Sequence, residues 1–291
     1  MEIWLIYTLI SAILTSAATL AQKKTLMKEH ATEFSTILAI LTLLISLPFI
    51  LIIDYSKLQL TPIIIIFFTS IFGAIGFLLI MKSIRHMKIT ESLPLLALEP
   101  GITAILAFIF LKEALSLSQV IGIASLVIGI YILETRAARN ILSPFKAIKK
   151  SKYIYYVIIA LFIYSITSVF DRLVLFKYDM QPEAYIVFVH IFLAMHFIVI
   201  SSAFYNGIKD VKHGLKKTGW WIFLIALLTL GYRLSQAEAI KIAPVALVLS
   251  IKRISILFTV IIGGELFHEK NLFKKIIATS IIIAGALLII I

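Results

Sequence analysis

The sequence contains no cysteine. That excludes disulfides, thiolate-bound zinc, iron–sulfur clusters and thiol nucleophiles. It is also poor in charge: only 14% of its 291 residues are Asp, Glu, Lys or Arg, against roughly 25% in a soluble domain. There is no Gly-rich phosphate loop ending in GK[ST], so ATP does not drive the protein. No HExxH or GxSxG motif and no paired-carboxylate constellation is present. These absences leave no catalytic site, cofactor or metal to assign, and the expectation is a protein that is not an enzyme.

What is abundant is apolar surface. Hydrophobic residues make up 61% of the chain and the mean hydropathy is +1.07, values that a water-facing surface does not allow. Ten runs approach the roughly 20 residues that an α-helix needs to cross a bilayer: 3–22, 34–53, 61–81, 89–110, 117–134, 153–174, 184–205, 219–239, 243–264 and 272–291. Their continuity excludes the alternating pattern of a membrane β-barrel. The first run lacks a basic leader and is followed by Lys23 and Lys24, so it reads as a membrane helix rather than a signal peptide. The net charge of +12 sits mostly in short gaps, where lipid headgroups and topology explain it better than nucleic acid does. The expected class is an all-α, polytopic membrane protein of ten helices, at the cell membrane.

The chain repeats itself. FIFLKE (Phe108 to Glu113) precedes a helix carrying Gly129, and GELFHE (Gly264 to Glu269) precedes one carrying Gly285; each Glu stands 16 residues before its Gly, and the two Glu are 156 apart. SAATLAQK (from Ser16) resembles SITSVFDR (from Ser165) at an offset of 149. The expected division is a first five-helix repeat at 1–135, a basic linker at 136–152 and a second repeat at 153–291. An odd number of helices per repeat inserts the second copy upside down, the architecture of many secondary transporters. Of the 27 Lys and Arg residues, 19 fall at the junctions after odd-numbered segments and 5 after even-numbered ones. The positive-inside rule then places both termini outside.

The stretches LEPGITAILAFIFLKEALSLSQVIGIASLVIGIYIL and SILFTVIIGGELFHEKNLFKKIIATSIIIAGALLI resemble the drug/metabolite transporter superfamily in its ten-helix form with two EamA-type repeats. The resemblance implies transport of a small metabolite such as an amino acid, sugar, nucleotide sugar, sugar phosphate or drug. Phosphate-translocating relatives carry a Lys-Arg pair in the ninth helix that binds the anion, which the resemblance places on Lys252 and Arg253.

The candidate binding residues are Glu99, Tyr232, Arg233, Gln236, Lys252 and Arg253. Glu99 and Arg253 each lie about ten residues into their segments, about 15 Å deep at 1.5 Å per residue. A charge at that depth faces a cavity or a partner. Two readings stand: an anion site at Lys252 and Arg253, or a structural ion pair of Arg253 with Glu99. Arg233 and Gln236 share a helix face, and Tyr232 and Gln236 are four apart. Gln22-Lys23 and Asp171-Arg172 read as solvated helix ends. His190 and His196 are six apart, which separates them around a helix and leaves packing or a proton relay. Gly73, Gly76, Gly122, Gly129, Gly263 and Gly264 read as packing contacts, with a homodimer interface as the lesser option. The expected partners are a small-molecule substrate and membrane lipid. The leading function is a secondary transporter of an anionic metabolite (carboxylate or phosphate). An exporter of amino acids or cationic drugs using Glu99 is the alternative within the class. A membrane-embedded lipid-modifying enzyme or flippase subunit is the alternative outside it.

Overall fold

A computed structural model describes residues 2–112, 116–118, 120–125, 128, 151–204 and 219–269, with isolated positions between 272 and 284. Residues 136–150 of the expected linker, Glu113, Gly129, Gly285, half of the fifth apolar segment and most of the tenth therefore lie outside the described residues. Every regular element among the described residues is helical. Among the described residues, six helical stretches are long and apolar enough to cross a membrane.

In the first half, α1 spans Ile3–Leu26 and α2 spans Ala31–Ser46. A 3₁₀ stretch, Leu47–Ile52, follows α2 where Pro48 removes a backbone donor. Helix α3 spans Leu60–His86 and takes Pro62 in its first turn, where the missing N–H is not needed. The second half holds α6 (Lys152–Arg172), extended by a π-helical turn (Leu173–Lys177), then α7 (Pro182–Phe204) and α8 (Trp220–Ile242).

The segments expected as continuous helices at 89–110 and 243–264 are both broken. The first divides into α4 (Ile89–Leu96) and α5 (Glu99–Leu111). Pro100 explains the break: its ring clashes with the carbonyl four residues back, which is that of Leu96, the last residue of α4. The second divides into α9 (Val245–Lys252) and α10 (Ile254–Leu266). No proline is present there. The Arg253 amide is shared between the Leu249 and Ser250 carbonyls at 3.1 and 3.2 Å, a local tightening that ends α9. The first break begins at Ala97, which lies 156 residues before the second break at Arg253, the spacing that separates the two Glu motifs.

Packing reverses the polarity of a soluble protein. The exposed stripe of α3 is Leu60, Ile64, Phe68, Phe72 and Ile75, and that of α6 is Tyr155, Ile159, Phe162, Ile166 and Phe170. Each follows helical spacing, so one whole face of each helix suits lipid tails. Ser and Thr face inward instead, among them Thr8, Ser11, Ser35, Thr36, Ser165, Ser168, Ser250 and Thr259. Many return their hydroxyl to a carbonyl of the preceding turn, as Thr36 does to Thr32 and Ser250 to Ala246.

Contacts between the halves come in exchanged pairs. Helix α1 packs along α8, and α3 packs along α6; α2 meets α7, and α5 meets α9. Several crossings among the described residues rely on glycine. A Cβ on Gly231 would stand 2.9 Å from Leu14 Cδ1, where α8 meets α1. One on Gly76 would stand 3.0 Å from Ile163 and 3.1 Å from the Tyr164 ring, where α3 meets α6. Gly76→Val should therefore force α3 and α6 apart and cost about 1–3 kcal/mol, read as a lower thermal unfolding midpoint in detergent. An unchanged midpoint would mean that the two side chains yield without strain.

Candidate functional site

Broken helices put helix ends inside the bundle, and the buried charges sit on those ends. Glu99 is the first residue of α5, where the helix dipole favours an anion. Lys252 is the last residue of α9 and Arg253 its C-cap, where the dipole favours cations. The Arg253 guanidinium forms an ion pair with the Glu99 carboxylate. Glu99 is only 4% exposed. Ser168 also donates to its Oε1 at 3.4 Å, and Ser165 to its backbone oxygen at 3.4 Å.

Lys252 meets neutral partners. Its ammonium donates to the Gln236 side-chain oxygen and lies 4.8 Å above the Tyr232 ring. Arg233 lies within hydrogen-bonding reach of Tyr232 and close to Tyr164 and Tyr185. Among the described residues neither Lys252 nor Arg233 has a carboxylate at ion-pair distance. All six candidate residues line one cavity of about 220 Å³. At ~30 Å³ per water that is room for about seven waters, or one small metabolite.

The same cavity holds residues that the sequence did not single out as a site: Asp171, Tyr164, Tyr185, Thr15 and Thr19. Tyr185, from α7, lies within hydrogen-bonding reach of the Asp171 carboxylate. Equivalence to Gln22, at an offset of 149, was the available signal for Asp171, because Gln22 lines the cavity too. The lining cations are therefore Arg233, Lys252 and Arg253, against two carboxylates, Glu99 and Asp171. The histidines fall outside this set. His190 is buried with Nδ1 2.9 Å from the Ile186 carbonyl, and His196 Nε2 lies 3.0 Å from Ser70 Oγ.

The expectation of solvated ends at Gln22-Lys23 and Asp171-Arg172 is corrected by burial: Lys23 is 9% and Arg172 5% exposed. Each base reaches the C-terminus of another helix. Lys23, on α1, donates to the Ile84 and Met87 carbonyls at 2.6 and 2.8 Å, closing over the end of α3. Arg172, on α6, donates to the Ile240 and Lys241 carbonyls, closing over the end of α8, with its guanidinium 3.7 Å above the Phe176 ring. A cation satisfies carbonyls that have no partner at a helix C-terminus, which explains why a base is tolerated there. Ile84 and Ile240 both line the cavity, so a clasp stands at each of its ends. Beyond the second clasp, Lys241 Nζ lies 2.9 Å from Asp179 and holds that exposed carboxyl below its usual range.

Residues 2–135 and 151–291 each match the EamA-like transporter family. A 66-residue stretch is 38% identical to a protein of Methanocaldococcus jannaschii described as uncharacterised, covering 23% of this chain and 48% of that one. The chain thus spans about half the length of that relative. A solved crystal structure superposes with a TM-score of 0.67 over 98% of this chain and 95% of its own, at 14% identity, a likeness of fold alone.

Proposed function

The chain belongs to the EamA-like transporter family, and from that premise we propose a secondary transporter that carries a small anionic metabolite, a carboxylate or phosphate, by alternating access. The family makes it a multi-pass integral membrane protein and a transporter of small molecules. The anion is the finer reading, and one observation carries it: among the described residues the cavity gathers three cations and two carboxylates, with neither Lys252 nor Arg233 at ion-pair distance from a carboxylate. One bound anion balances the excess. Lys252, Arg253 and Arg233 hold it by charge-assisted hydrogen bonds, and Gln236 and Tyr232 shape the remaining wall. Glu99 neutralises Arg253 while the site is empty.

Ten spanning helices in two inverted repeats complete the reading. The exchanged contacts support it, since an axis that swaps the halves turns the α1–α8 crossing into α6–α3 and the α5–α9 crossing into α10–α4, and maps the α2–α7 crossing onto itself. The matching breaks at 97–98 and at Arg253, and the matching clasps of Lys23 and Arg172, support it as well. Discontinuous helices whose ends line a midplane site belong to this architecture. With both termini outside the cell membrane, the Lys23 clasp lies at the cytoplasmic end and the Arg172 clasp at the outer end. Opening one while the other holds gives alternating access.

An exporter of cationic drugs or amino acids, with Glu99 as the cation-binding group, is the rival. Glu99 is already engaged by Arg253, which disfavours it. Counterflow in proteoliposomes separates the two: labelled small carboxylates and phosphates should exchange, and labelled amines should not. Exchange of amines with every anion silent overturns the anionic reading.

A further inference from the structure

The two repeats differ in charge at one pair of matching cavity positions. Each sets a polar residue into the cavity next to a base that clasps a helix C-terminus: Gln22 before Lys23 and Asp171 before Arg172. The Lys23 clasp forms beside a neutral amide, so a clasp of this kind does not require a carboxylate. Asp171 also forms no ion pair among the described residues, whereas Glu99 is held by Arg253. Its neighbours are few. Tyr185 reaches toward it from α7, and Arg233 from α8, all three lining the cavity. Helix α3 presents Thr69 and Ser70 to the cavity, α5 presents the paired Glu99, and α9 ends in Lys252 and Arg253. On its own helix Tyr164 lines the same cavity, and Arg172 turns away to the α8 carbonyls.

We infer that Asp171 is a proton-binding site of the transport cavity, and that a proton bound there is the co-ligand of the anion. The second clause rests on the anionic reading given above. Arg233 is the link, because it neighbours both Asp171 and the Tyr232–Lys252 wall where the anion sits. An ionised Asp171 competes with the anion for Arg233 and repels it; a protonated Asp171 does neither. Binding free energies are reciprocal, so each ligand strengthens the other by the same factor. The carboxylate takes up the proton and the carboxylic acid releases it, with no other bond made or broken. Anion and proton then travel in the same direction.

The site itself is tested on purified protein by pH-difference infrared spectroscopy. Acidification should raise a carboxylic-acid C=O band that is missing from Asp171→Asn and displaced along the pH axis in Tyr185→Phe, which removes the hydroxyl within reach of that carboxylate. Should Asp171→Asn fail to insert, the displacement in Tyr185→Phe decides alone. A wild-type spectrum without such a band, or a band indifferent to these substitutions, overturns the proton site. Coupling is tested with sulfate and pyruvate, whose own charges do not change near neutrality. Wild-type affinity for the anion that binds should fall by up to about tenfold per pH unit on the alkaline side, the limiting slope for one linked proton, and Asp171→Asn should flatten the slope while still binding. Anion binding with no pH slope overturns the coupling. If no anion in the counterflow series or here binds the wild type, the anionic reading fails and the coupling clause with it. The infrared band still decides Asp171 on its own.

Discussion

Glu99→Ala should destabilise the protein by about 3–5 kcal/mol, the usual consequence of removing one member of a buried ion pair. The loss comes less from the missing attraction than from what remains. Arg253 would keep its charge inside the bundle, and its Nε already lacks a hydrogen-bond partner. The measurement is the yield of membrane-inserted, monodisperse protein and its thermal midpoint in detergent. A double variant makes the interpretation specific: Glu99→Gln with Arg253→Met removes both charges, and it should recover most of the lost stability while binding no anion. Buried pairs replaced by apolar residues of similar volume are often neutral or better. If Glu99→Ala alone retains the wild-type midpoint, water in the cavity solvates Arg253 adequately and the pair is not structural.

Arg253→Lys and Lys252→Ala should leave folding intact and weaken anion binding by about 30-fold or more, the equivalent of the ~2–3 kcal/mol typical of a charge-assisted hydrogen bond. Arg253→Lys keeps a cation beside Glu99, so the reason for collapse in Glu99→Ala is absent. An ammonium cannot reproduce the planar fork that grips two oxygens of a carboxylate or phosphate. Lys252→Ala withdraws an ammonium that has no carboxylate partner among the described residues, and leaves Gln236 to turn toward the cavity. The measurement is the affinity of whichever anion proves active in counterflow. Full affinity in both variants reduces these bases to structural charges and removes the argument for an anionic substrate.

The sequence exposed the parts of this arrangement that obey local rules. Uninterrupted apolar runs gave the spanning segments, because the bilayer imposes one length and one polarity on each. Glu99 and Arg253 stood out because charge within such runs is rare. The helix breaks were less legible. Pro100 is a local marker for the first, but nothing in the composition around Arg253 departs from a continuous helix; the shared amide there is a matter of geometry. Lys23 and Arg172 were misread for a physical reason. A base near a helix end resembles a solvated terminus unless the carbonyls that receive it are known, and those carbonyls lie 61 and 68 residues away in the chain. Asp171 was hidden by the same reading, and Tyr164 and Tyr185 by belonging to aromatic-rich runs in which packing alone would account for them.

The pairing of Glu99 with Arg253 has a consequence for how the chain is made. The partners are separated by 154 residues, and a ribosome adding ~5–20 residues per second needs roughly 8–30 s to cover that gap. During that interval the first half is in the membrane with a carboxyl group in its fourth apolar segment and no base to meet it. Placing an ionised acidic side chain at the centre of an inserting helix is disfavoured by ~2.5–3.5 kcal/mol on the insertion scale. The segment around Pro100 must therefore wait in a protonated, interfacial or chaperoned state until the ninth segment is delivered. Synthesis order makes the second repeat the one that completes the first.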